Sequence, residues 1–139
     1  MPDQRSVVLV DDDEDIVNVM KRALEFNNFQ VFSFTNPLEA VEYFKSVQSP
    51  QLLVTDIRMP NMTGFELVRE VKKGYPNLPI IVLTAFELPK PEFDKVFPST
   101  KIDVVLKKPI SPRKFVDAVN AIFVAKHSTD KNQQKNENA

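Results

Sequence analysis

The chain has 139 residues, 42% of them hydrophobic, enough for one globular domain with an ordinary core and too few for two. Its 18 lysines and arginines against 19 aspartates and glutamates leave a net charge of −1, so no basic balance points to direct nucleic-acid contact or an anionic membrane. Zero cysteines exclude disulfides and thiolate chemistry; the one histidine, His127, excludes triads and histidine-rich metal sites; two glycines, Gly64 and Gly74, exclude a P-loop and a dinucleotide fingerprint.

The first predicted strand is Val7 to Val10, an unbroken β-branched run suited to a sheet covered on both faces. A helical stripe follows at Ile16, Met20, Ala23 and Leu24. The second strand is Val31 to Phe34, after which Asn36, Pro37 and Glu39 read as the cap, first residue and third residue of a second helix. Leu52 to Val54 make the third strand, and a third helix runs from Gly64 through Phe65, Leu67, Val68 and Val71 to about Gly74. Ile80 to Leu83 are the fourth strand. Between residues 87 and 100, Pro89, Pro91 and Pro98 leave space for about two helical turns at Glu92 to Phe97, expected to be short and mobile. Ile102 to Leu106 are the fifth strand. Ser111 and Pro112 then start a last helix with a stripe at Phe115, Val119, Ile122 and Phe123. This alternation predicts a doubly wound α/β fold with right-handed crossovers over residues 5–126. From 127 to 139 the only apolar residue is Ala139, so a polar, disordered tail is expected there. No apolar run reaches the ~18 residues of a membrane span, and Met1 to Arg5 lack a signal-peptide core, so a cytoplasmic chain without membrane insertion is expected.

Open α/β sheets bind ligands at the C-terminal ends of their strands. There the first strand leads into Asp11 and Asp12, the third ends in Thr55 and Asp56, the fourth in Thr84 and Ala85, and the fifth in Lys107, Lys108 and Pro109. Three carboxylates so close repel one another unless a cation joins them, and a hard divalent ion such as Mg2+ takes oxygen ligands of this kind. With Asp56 as a carboxylate nucleophile and Thr84 and Lys108 to hold phosphoryl oxygens, the set suits formation and hydrolysis of an acyl phosphate.

Val10-Asp11-Asp12, the run Asp56-Ile57-Arg58-Met59-Pro60-Asn61-Met62-Thr63-Gly64, Thr84-Ala85 and Lys108-Pro109 together resemble the receiver domain of two-component response regulators. The resemblance covers about residues 5 to 126. It implies a flavodoxin-like (βα)5 fold, strand order 2-1-3-4-5, with helices on both faces of the sheet. It implies Asp56 as the phosphoacceptor, Mg2+ (or Mn2+ in its place) at Asp11, Asp12, Asp56 and the Arg58 backbone carbonyl, and Thr84 and Lys108 on the phosphoryl group, with a cis bond before Pro109. The implied partners are a sensor histidine kinase or histidine phosphotransfer protein and a downstream protein effector, without direct nucleic-acid contact. It leaves room for dimerisation through the fourth helical segment and the fifth strand. The implied role is a switch that catalyses only its own phosphorylation and dephosphorylation.

Two departures bear on switching. Val105 stands where the family commonly has an aromatic residue, three positions before the lysine, and no Gly-Ala pair precedes the fifth strand. Arg58 and Phe86 flank the site and are expected to tune dephosphorylation, with Ala85 and Pro109 beside the switch. Asp13, Glu14 and Asp15 read instead as a solvated helix start, Lys107 as an edge-strand charge and His127 as a tail residue. A haloacid-dehalogenase-type phosphatase also resembles this chemistry, but its second acid would stand at Arg58. A stand-alone receiver is expected; the alternative is the N-terminal receiver of a longer transcription factor or signalling enzyme.

Overall fold

The computed structural model describes residues 5–47, 49–85 and 101–137, with side chains as far as residue 125. The described residues run β1 (Arg5–Val10), α1 (Glu14–Phe26), β2 (Phe29–Phe34), α2 (Pro37–Ser46), β3 (Leu53–Asp56), α3 (Gly64–Gly74), β4 (Ile80–Thr84), β5 (Val104–Lys107) and α4 (Pro112–Glu137). All strands are parallel, in the order β2-β1-β3-β4-β5. This is the expected doubly wound, flavodoxin-like sheet. The short segment expected at 92–97 lies outside the described residues.

The period of two along each strand divides the core into two layers. Val7, Leu9, Val54, Ile81 and Leu83 pack with Val17, Met20 and Leu24 of α1 and Phe115, Val116 and Val119 of α4. Val8, Val10, Leu53, Ile80 and Val82 pack on the opposite face with Ala40 and Phe44 of α2 and Leu67, Val68 and Val71 of α3. Both faces of the central strands are buried, which explains why the sequence shows continuous apolar runs there instead of alternation.

The helices start where local chemistry satisfies their free N–H groups. The Asp13 carboxylate accepts from Asp15 and Ile16 N–H, and Asn36 accepts from Leu38 N–H ahead of Pro37. Thr63 and Glu66 form a reciprocal capping box at α3, a pairing that sequence reading passed over. Ser111 Oγ accepts from Lys114 N–H at 3.1 Å, as the Ser-Pro pair predicts.

Several boundaries differ from expectation, those of β2, β5 and α4 most. β2 begins at Phe29 because Asn28, at φ 69°, closes the turn from α1 and brings Phe29 opposite Arg5. β5 begins at Val104 because Asp103 spends its carboxylate on the Ile80 N–H at 2.8 Å, a side-chain bond that leads into the ladder. The α4 backbone is helical to Glu137, eleven residues past the expected boundary at 126 and through most of the stretch expected as a disordered tail. A helix satisfies its own backbone through local hydrogen bonds, so the backbone can continue through a polar stretch.

Candidate functional site

The strand ends deliver their polar residues by the same alternation that sorts the core. Asp11 continues the parity of Val7 and Leu9, Asp56 that of Val54, and Lys108 that of Val104 and Leu106, all on the α1/α4 side. Thr84 instead continues the parity of Ile80 and Val82.

The side chains of Asp11, Asp12, Asp56 and Lys108 meet at the C-terminal end of the sheet. The Lys108 ammonium donates to Asp11 Oδ2 at 2.6 Å and lies 3.5 Å from Asp56 Oδ2. One oxygen each of Asp11, Asp12 and Asp56 lies within 4.8 Å of the others. Asp11 is fully buried, Asp56 is buried and Asp12 is exposed, so the cluster opens to solvent on the Asp12 side. The Asp13 N–H donates to Asp11 Oδ1 at 3.0 Å and the Ile57 N–H to Asp56 Oδ1 at 2.8 Å. Each buried carboxylate therefore has one oxygen fixed by backbone.

Electrostatics reflect the crowding. Burial, followed by the neighbouring Asp11 carboxylate, raises the Asp56 pKa above its ordinary 3.8, against the opposing pull of Lys108 and the Ile57 N–H, with Asp12 adding a smaller push upward. Burial also disfavours the charged Lys108 ammonium, but its bonds to Asp11 and Asp56 outweigh that and its pKa is raised.

The backbone beneath the cluster is held by contacts that only the fold makes visible. Thr55 Oγ1 donates to the Asp56 carbonyl at 2.9 Å inside the core, and the Gly64 N–H donates to the Ile57 carbonyl at 2.7 Å. A Cβ at Gly64 would lie 2.1 Å from the Asp56 carbonyl oxygen, so only glycine lets α3 start this close to β3. Thr55 carried no sequence signal beyond its place in the strand; Gly64 carried one through the run that begins at Asp56.

The remaining predicted residues fall around this centre. Thr84 is 3% exposed, and its carbonyl accepts from Lys108 N–H at 2.7 Å, tying the ends of β4 and β5 together. The Lys108–Pro109 peptide bond is cis, as expected. Arg58 and Ala85 are exposed beside the cluster, whereas Val105 lies opposite Val82 in the ladder with 42% exposure. Phe86 lies outside the described residues.

A buried carboxylate pair, a lysine bridging it and an open acidic edge, all at the C-terminal end of a 2-1-3-4-5 sheet, define a site of the receiver class. The response regulator receiver domain model matches residues 7–120, so the chain belongs to the response regulator receiver family. It is 32% identical over 118 residues to the response regulator SaeR of Staphylococcus aureus (strain USA300), an alignment covering 84% of this chain and 50% of SaeR. The chain thus spans about half the length of the curated relatives it matches.

Solved receiver structures share the fold. A CheY-like receiver domain protein from Methanospirillum hungatei JF-1 aligns with TM-score 0.77 at 23% identity, over 95% of this chain and 98% of that one. The receiver domain of an HD domain-containing protein from Pseudomonas fluorescens Pf-5 gives 0.79 at 22%, over 90% and 98%. TrrA from Thermotoga maritima, in complex with Mg2+-BeF, gives 0.73 at 24%, over 86% and 99%.

Proposed function

We propose that this receiver is a phosphorylation-operated switch in which Asp56 accepts a phosphoryl group from the phosphohistidine of a sensor kinase or phosphotransfer protein. The observation that carries this reading is the buried Asp56 carboxylate with Lys108 Nζ at 3.5 Å and two further carboxylates at its side. Asp56 Oδ1 is held by the Ile57 N–H, which leaves Oδ2, on the Lys108 side, to attack phosphorus. The nitrogen–phosphorus bond of the donor breaks as the oxygen–phosphorus bond forms, and the imidazole leaves with its electron pair. Lys108 offsets charge on the transferred group, and the Thr84 hydroxyl, at the neighbouring strand end, donates to it.

The acidic cluster suits a divalent cation on chemical grounds: three hard oxygen donors converge on one point, two of them on buried residues. Asp11, Asp12 and Asp56 would hold Mg2+, or Mn2+ in its place, with the Arg58 carbonyl as a further oxygen. When bound, the ion supplies neutralisation of the phosphoryl oxygens. That TrrA is in complex with Mg2+-BeF supports Mg2+ as the ion.

Phosphorylation adds about −1.5 to −2 charges, which draws Thr84 and Lys108 inward and biases the exposed edge of β5. A full switch from 1:99 to 99:1 requires about 5.5 kcal/mol of preference for the active state. With Val105 at the edge in place of a ring, a smaller shift is expected, read as a graded change in amide exchange at residues 101–107. The protein catalyses only its own phosphorylation and hydrolysis, acts in the cytoplasm, and passes its state to a protein effector. SaeR is twice as long as the aligned segment, which supports the alternative that an output domain accompanies this receiver.

The test is intact mass after incubation with Mg2+ and acetyl phosphate. One phosphoryl group is expected on the wild type, none on Asp56→Asn and none without the metal. An unmodified wild type that also fails with a phosphohistidine donor overturns the reading.

A further inference from the structure

On the α1/α4 side of the sheet, the face toward which Asp11, Asp56 and Lys108 project, lies a hollow of about 500 Å³. Among the described residues its walls are Ile16 and Met20 of α1, Leu83 and Ala85 at the end of β4, and Pro109 and Ile110 after β5. Lys108 is the one charged residue in this lining. Two wall residues, Ala85 and Pro109, follow directly on Thr84 and Lys108. Lys108, whose ammonium contacts Asp11 and lies 3.5 Å from Asp56, is itself part of the lining, so the hollow adjoins the acidic cluster, and its size falls within the roughly 300–1,000 Å³ of small-molecule sites.

The chemistry of this juxtaposition is amphiphilic, with an apolar chamber on one side of Lys108 and an anion-binding centre on the other. Neither an ion nor a plain phosphate uses the chamber. A molecule that joins a phosphoryl group to a short apolar acyl chain uses both. We infer that the hollow seats the organic half of an apolar acyl phosphate, so that this receiver takes its phosphoryl group from such small donors in preference to acetyl phosphate. The inference rests on Asp56 as phosphoacceptor. Asp56 oxygen attacks phosphorus, the bond between phosphorus and the acyl oxygen breaks, and the acyl group leaves as its carboxylate, with no change of oxidation state.

The test compares butyryl phosphate with acetyl phosphate, whose leaving groups are both simple alkyl carboxylates, by the second-order rate of phosphoryl appearance in intact mass. Each methylene moved from water into an apolar seat favours binding several-fold, so butyryl phosphate is expected to react about tenfold faster, equivalent to about 1.4 kcal/mol. Ile110→Phe, which fills the hollow, and Ile16→Ser, which makes its wall polar, are each expected to bring the ratio to near one while leaving acetyl phosphate within about twofold. Because both donors are measured on the same variant, a folding defect cancels in the ratio. Equal rates for the two donors on the wild type overturn the inference and leave the receiver reading intact. A preference that survives both substitutions also overturns it, since the selectivity then arises elsewhere. Failure of both donors, and of a phosphohistidine donor, tells against the receiver reading itself.

Discussion

Asp56 works against the stability of the metal-free fold. Its pKa is raised in the folded state, by burial first and Asp11 second, so the folded protein holds its proton to higher pH than the unfolded chain does. Between the ordinary 3.8 and the raised value the folded state binds more protons, and stability falls as pH rises through that window. Asp56→Asn removes the charge. In chelator at pH 7 this variant is expected to unfold at a higher temperature than wild type by roughly 2–6 °C, about 1 kcal/mol for a domain of this size. The difference should shrink as pH falls to 4, which thermal melts at the two pH values will show; an unchanged or lowered melting point contradicts the electrostatic account. Gly64→Ala should act oppositely. Its φ is not positive, so the cost comes from the Cβ 2.1 Å from the Asp56 carbonyl oxygen, where backbone must move. Overpacking of this kind costs about 1–3 kcal/mol, seen as a lower urea midpoint with unchanged slope. Asp11, Asp12, Asp56 and Lys108 were legible in sequence because each lies within two residues of the end of an apolar run. The need for glycine at 64 and the support from Thr55 were not, because both depend on an approach between elements that periodicity does not encode.

Among the elements, the helices show most clearly what local chemistry decides. The Thr63–Glu66 box satisfies two N–H groups at the start of α3, the helix that follows the Asp56 loop. Thr63→Ala is expected to cost about 1 kcal/mol, and because the cap lies directly before Gly64, amide exchange should quicken across residues 57–64 before it does in β1. The Asn36-Pro37 and Ser111-Pro112 starts were readable because proline at the first helical position marks the chain. The end of α4 was not, since a polar stretch carries no apolar stripe to mark where its backbone leaves the helix. The described anchors of α4 are Phe115, Val116 and Val119, with Ile122 and Phe123 packed against the same core, all before residue 125. A chain ending at Ala125 is accordingly expected to melt within about 2 °C of the full one while losing helical ellipticity. A large drop in melting temperature would show that the last turns pack on the domain.

At the scale of the molecule, strand existence was written in composition and strand order was not. Five apolar runs predict five strands, but nothing in their periodicity places β1 between β2 and β3; that order came from the resemblance carried by the strand-end residues, and the parallel ladders bear it out. The order matters because it sets β1 and β3 side by side, pairing Val10 with Thr55 and so bringing Asp11 and Asp56, the residues that follow each, to the same edge. The repulsion this creates is a property of the folded chain alone, since the unfolded chain keeps those residues 45 positions apart. A divalent cation that binds the cluster therefore binds the native state and not the unfolded one, and mass action converts occupancy into stability. Mg2+ at 100 times its dissociation constant is expected to add about 2.7 kcal/mol. The melting temperature should rise with the logarithm of concentration for wild type and stay nearly flat for Asp12→Asn, whose exposed side chain is not needed by the core. A wild type indifferent to Mg2+ would mean that Lys108 already balances the cluster, and that the three carboxylates meet for a reason other than a metal.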